Sequence, residues 1–193
     1  GLTTPLLSAA EKKQLTIEIK EQILKGEIPK DIYDAEYKMM MNLKSEMDEK
    51  YKISLNKLKV RSSSNAEDIV GFNGAGLHDS YSARIKKSTA TDYHVQDCQF
   101  VRELDEDTGL DDEDISPKSL ACAMKAAYAS LWNLRAVRER TYKRFDHRSA
   151  SMGLSVQPSY KFKDDLVISS NSVLITRVVG TESVYGQQLS TQV

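Results

Sequence analysis

One segment limits what this chain can fold into more than any other: a polar, glycine-rich stretch over 62–79, entered from the short run Leu58-Lys59-Val60-Arg61. The run reads as a strand, and the stretch after it carries too few periodic apolar residues for a regular element. Beyond it Tyr81, Ala83 and Ile85 alternate with Ser82, Arg84 and Lys86, which predicts a half-buried strand.

The flanks have a different texture. Ser8-Ala9-Ala10-Glu11 is a capping-box pattern, opening a helix whose Leu15, Ile19, Ile23 and Leu24 share one face, with Gly26 as its stop. After Pro29 the pattern predicts a second helix over about 31–50, with Tyr37, Met40, Met41, Leu43 and Met47 turned inward. Those methionines read as core filler rather than a cofactor box. Ser116-Pro117 reads as an N-cap and first-turn proline, starting one long helix over about 117–147, near 45 Å at ~1.5 Å per residue. Leu120, Met124, Ala127, Leu131, Leu134 and Thr141 form its stripe, continued by Phe145. Arg135, Arg138, Arg140, Lys143 and Arg144 read as a solvated face favoured by the helix C-terminal dipole, ahead of a phosphate-steering role. Past Gly153, strands are predicted at 154–157, 166–168, 173–179 and 184–189. Helices early and in the middle with strands late give an α+β class, a mixed sheet with flanking helices, and no regular βαβ repeat.

Composition removes several function classes. With 40 % hydrophobic and 28 % charged residues and a formal net charge of -1, the 193 residues make an ordinary globular mixture without the basic field that nucleic acid requires. No stretch approaches the ~20 apolar residues of a membrane helix. Cys98 and Cys122 are expected to be free thiols in a reducing cytoplasm. Over 103–114 eight of twelve residues are acidic, a self-repelling run expected to be a solvated loop; it lacks the ligand order of a calcium loop. The chain opens at Gly1 and closes at Val193 within a strand-like run, so it is expected to be an excerpt of a longer protein.

The chemistry concentrates in the glycine-rich stretch. A strand delivers Arg61 into a run of small hydroxyl residues, and Gly71, Gly74 and Gly76 follow within six positions. Glycines let backbone N–H groups approach an anion, and an arginine adds an always-charged fork matched to phosphate oxygens. The spacing is neither a Walker A loop nor a Gly-x-Gly-x-x-Gly fingerprint. On these residues alone, a phosphate site and a flexible surface loop stand equal, because turns use serine and glycine too.

The segment Val60-Arg61-Ser62-Ser63, with Ala66-Glu67-Asp68, Gly71, Ala75-Gly76 and Ser80-Tyr81, resembles the signature of the phosphoenolpyruvate synthase, pyruvate phosphate dikinase and rifampin phosphotransferase family. Two later blocks fit in order: Ala129-Ser130-Leu131-Trp132, then Met152-Gly153-Leu154-Ser155-Val156-Gln157 with Ser172-Val173-Leu174-Ile175-Thr176. The resemblance covers about 58–193, leaving 1–57 as a helical N-terminal part. It implies an ATP-grasp-like nucleotide-binding domain, present here incompletely, that holds ATP and Mg2+. The ATP would phosphorylate a histidine on a separate swivelling domain, which passes phosphate to pyruvate or another acceptor; these residues alone would be inactive. Carried over by position, Arg61 contacts the nucleotide phosphates as the catalytic residue, Gly76 offers backbone approach, and Ser80 stands where a nucleotide-contacting threonine is common. Gln157 matches a glutamine near the adenine. Ser62, Ser63, Gly74 and Ala75 complete the expected binding set. Glu67 and Asp68 either orient Arg61 or hold magnesium through water, or else shape the loop by a salt bridge or cap. The family's glycine-and-lysine loop has no match, and its acidic metal ligand and Gln-x-Arg pair are expected past Val193. His78, His94 and His147 form no metal spacing and are expected to be surface or hydrogen-bonded residues. Other classes remain: a non-catalytic nucleotide-sensing or scaffold domain, motivated by the divergent start and acidic insertion, and a site for phosphoenolpyruvate or pyruvate alone.

Overall fold

The computed structural model describes residues 7–66, 76–104 and 111–159, all within one unit, Gly1–Ser159. The strands expected at 166–168, 173–179 and 184–189 lie outside the described residues.

Helix α1, Ala9–Lys25, starts as its sequence dictates. The Ser8 side chain accepts from the Glu11 N–H at 3.2 Å, and the Glu11 carboxylate accepts from the Ser8 N–H at 2.7 Å. The Ser8 hydroxyl first, and then the Ser8 N–H, hold the Glu11 carboxyl below its ordinary value. The helix ends at Gly26, whose N–H reaches back to Gln22 and Ile23. Its inward face is rotated from the expected one. Thr16 and Leu24 are buried, whereas Leu15 is 45 % exposed, because the neighbours it meets lie along the 16–20–24 line. Helix α2, Lys30–Lys50, buries Tyr33, Met40 and Met47, one heptad apart, and leaves Met41 on the surface.

Three antiparallel strands form the main sheet: β1, Lys57–Ser64; β2, Tyr81–Arg84; and β5, Met152–Pro158, in the order β2-β1-β5. Strand β1 runs on through Ser62, Ser63 and Ser64, residues expected to be irregular, since β5 offers partners for all three. Strand β2 is two residues shorter than its alternation suggested; Ile85 and Lys86 enter a 3-10 turn, and Ser82 is buried as well as Tyr81 and Ala83.

The acidic run is the clearest departure from expectation. Gln99–Leu104 (β3) and Asp111–Ser116 (β4) pair antiparallel as a separate two-stranded sheet, so both flanks of the expected loop are strand. Flanking cations offset part of the repulsion: Lys20 pairs with Glu113 at 3.0 Å and Lys118 with Asp114 at 2.8 Å. The tip, 105–110, lies outside the described residues.

The single long helix of 117–147 is also corrected. Ser116-Pro117 is a cis peptide closing β4, and the cap falls to Ser119, whose hydroxyl accepts from Cys122 N–H at the start of α3, Leu120–Ala129. Helix α3 is buried almost all round, its alanines permitting close approach to the sheet and to α1. It tightens into a 3-10 turn over Ser130–Trp132. Asn133 is extended (φ -55°, ψ 137°), and α4, Leu134–Tyr142, begins anew. A buried side chain consolidates the break: Arg140 donates to the Leu131 carbonyl at 2.7 Å and to His147 Nδ1 at 3.2 Å, with its guanidinium 5.7 Å from the Trp132 ring centre. Arg140, 1 % exposed, is therefore no part of a solvated basic face. The cysteines are corrected too: Cys98 and Cys122 form a disulfide with Cα atoms 5.4 Å apart, tying the entry of β3 to the first turn of α3. Among the described residues no helix is long and apolar enough to cross a membrane.

The core lies between α3 and one face of the main sheet, with Leu58, Val60, Tyr81, Ala83, Leu120 and Ala127 in one cluster shared with Leu24, Tyr33, Met40 and Met47.

Candidate functional site

Strand alternation sorts β1 into two sets. Leu58 and Val60 are fully buried against the core, while Lys59 is half-buried and Arg61 exposed on the opposite face. Residues directly opposite in an antiparallel pair share a face, so the register builds the rest of that surface. Lys59 lies between Ser82 of β2 and Gln157 of β5, Arg61 faces Ser155, and Ser63 faces Gly153. Ser80 stands one residue before β2, next to Tyr81, which faces Val60. Lys57 and Arg84, themselves opposite one another, continue the same face.

The face is therefore basic and hydroxyl-rich, and no carboxylate stands among its described residues. Among those residues Lys59 and Arg61 engage no hydrogen-bond or ion-pair partner, and Arg61 is exposed. A guanidinium without an internal partner keeps its donors available to an anion from solution.

The structure places Arg61, Ser63 and Gln157 of the sequence-derived set on one sheet face, with Ser80 just before β2. It separates Ser62, which points to the core side opposite Leu154. Gly76 has φ +78°, a left-handed backbone that glycine adopts without strain, and open space where a Cβ would stand. Gly74, Ala75, Glu67 and Asp68 lie outside the described residues.

A clamp on the loop escaped the sequence reading. Asn133, at the break between α3 and α4, donates to Asp79 Oδ2 at 2.6 Å and to the Leu77 carbonyl at 3.3 Å. Arg135 donates to the same carbonyl at 3.1 Å and pairs with Asp79, and His78 Nδ1 lies 3.2 Å from the Ser130 carbonyl. These contacts fix the segment that leads from Gly76 into β2. Asn133 was hidden because an uninterrupted helix was expected there. Lys59 was legible, since it stands two positions before Arg61 on a strand. The other histidines serve local packing: His94 sits edge-on to Tyr93, and His147 accepts from Arg140.

Together these features describe an α+β domain with a basic, hydroxyl-rich sheet face. The family model for the pyruvate phosphate dikinase AMP/ATP-binding domain matches residues 7–177, and the chain belongs to that family. The domain is ATP-grasp-like, the family is one of phosphotransferases, and its ligand is AMP or ATP. Among curated proteins none matches the chain.

Proposed function

We propose that the Lys59–Arg61 face of the main sheet holds the phosphates of ATP, and that the chain is the nucleotide-binding part of a dikinase-type phosphotransferase. The supporting observation is the exposed Arg61 guanidinium, without a partner among the described residues, on the same face as Lys59 and Gln157. Arg61 would meet the phosphates where charge develops during phosphoryl transfer, with Lys59 as a second cation. Gln157 would hydrogen-bond the base, Ser80 the phosphate end, and Gly76 would admit a close backbone approach. Mg2+ would enter with the nucleotide. The described residues of this face suit phosphate and base but offer the metal no carboxylate, so its ligands are assigned elsewhere. In this reading the phosphoryl group passes to a histidine on a swivelling domain and then to an acceptor of the pyruvate type, in the cytoplasm.

The division into a helical part, 1–57, and a nucleotide-binding part, 58–193, belongs to the same proposal. Calorimetric titration of magnesium-ATP into the chain and its Arg61→Ala variant tests it. Saturable heat that is lost in the variant supports the site; equal binding by both proteins overturns the assignment of Arg61.

A further inference from the structure

Away from the nucleotide face, three ligand-type atoms converge at the start of α3. The Asp97 carboxylate and the sulfurs of Cys98 and Cys122 all lie within 4.8 Å of one another. Both sulfurs are buried and Asp97 is exposed, on the wall of an open cavity of about 550 Å3 that Lys20, Glu21 and Lys25 also line. We propose that the reduced chain binds a thiophilic divalent cation such as zinc here, through Asp97, Cys98 and Cys122, so that the disulfide and the metal are alternative states of one site.

The chemistry fits the donor set. Zinc takes thiolate at about 2.3 Å and carboxylate at about 2.0–2.2 Å, which puts tetrahedral ligands on the order of 3.5–3.8 Å apart. The carboxylate lies within 4.8 Å of both sulfurs, so a small side-chain adjustment brings it to ligand distance, and the sulfurs separate to ordinary non-bonded contact once their bond is cut. A dithiol reductant supplies the two electrons and two protons that convert the disulfide to two thiols, and leaves as its own cyclic disulfide. Metal binding then releases the two thiol protons to water. Two thiolates and one carboxylate carry three negative charges, which a divalent cation reduces to one. Cys122 is the third residue of α3, where the helix N-terminal field favours a thiolate. Lys125, buried one turn further on, donates to the Val95 and Leu24 carbonyls and feels the Asp97 charge, so a cation offsets the residual negative charge. Asp97 and Cys98 line the open cavity, which gives water a route to the ion as a fourth ligand.

Cobalt(II) is the probe, because its bond to thiolate gives a charge-transfer absorption that oxygen ligands do not. The whole chain is reduced with a phosphine, desalted without air and titrated with cobalt chloride, beside an untreated oxidised sample. One equivalent of cobalt with thiolate charge transfer is expected in the reduced chain only. Asp97→Asn, an exposed substitution that leaves both cysteines in place, is expected to weaken binding roughly tenfold or more. Zinc should displace the cobalt and abolish the band. Absence of the band after reduction, an equal band in the oxidised chain, or unchanged affinity in Asp97→Asn each overturns the three-ligand site.

Discussion

The two faces of strand β1 differ in every respect but backbone. On one, Leu58 and Val60 are fully buried against α3; on the other, the Lys59 and Arg61 side chains look outward without partners among the described residues. The acidic hairpin β3–β4 gives a third term, because there Glu113 and Asp114 are met by Lys20 and Lys118. Charges that the fold pairs belong to the fold. Charges it leaves unpaired on an ordered strand are available for something that arrives later, which under the proposed function is the nucleotide.

The sharpest way to break this contrast is to cut each face separately. Leu58→Ala should cost about 3 kcal/mol of unfolding free energy in urea, from lost burial and the cavity left behind. Nucleotide affinity measured where the variant is still folded should stay the same; if it falls in step with stability, the two faces are not independent. Arg61→Ala should show the reverse, leaving stability within about 0.5 kcal/mol while weakening magnesium-ATP roughly tenfold to a hundredfold. Arg61→Lys, which keeps the charge without the fork, should recover only part of that loss by calorimetry. Lys59→Ala, on a half-buried side chain with no fork, should weaken the nucleotide only about threefold to fivefold, with Lys59→Arg restoring it. No effect of either Lys59 change would confine the phosphate contact to Arg61.

The smallest effect concerns a charge kept away from both faces. Burial first, then the Arg140 charge, holds the His147 imidazole below its ordinary value of 6.5, with Asp146 opposing. The unfolded chain therefore binds a proton that the folded chain resists, and the contribution is present above about pH 6.5. It is lost as pH falls below that value toward the folded pKa, where a protonated Nδ1 can no longer accept from Arg140. Thermal melts at pH 7.5 and 5.5 should show a small acid-side decrease that His147→Gln removes; an identical decrease in both proteins would assign it to other groups.

Much of this was legible from residue order. The capping box at Ser8 and Glu11 names the start of α1, because that motif supplies its own hydrogen bonds. The pattern at Lys59 and Arg61 names a strand face, since period 2 needs no tertiary knowledge. What could not be read depends on contacts distant in sequence. Asn133 breaks a helix that its own neighbours favour, and its side-chain partners are Leu77 and Asp79, over fifty positions earlier. Arg140 sits in a run of cations that looks solvated, yet its guanidinium caps the carbonyl exposed by that break. The acidic flanks form paired strands in which Lys20 of α1 and Lys118 meet Glu113 and Asp114, whereas composition alone says only that they repel. Cys98 and Cys122 are 24 positions apart, and only the packing of α3 against the entry of β3 brings them together.

The clamp at Asn133 and Arg135 also bears on entropy. Fixing one residue's backbone costs roughly 1–2 kcal/mol, and a glycine-containing loop that must order itself around each incoming ligand spends that from its affinity. Leu77, His78 and Asp79 are held by the α3–α4 junction through contacts that lie within the protein itself. Their ordering is thus met once, during folding, and not again at each binding event. Loosening the clamp by Asn133→Ala would then appear in calorimetry as a more unfavourable binding entropy, at a site whose contacting atoms had not changed.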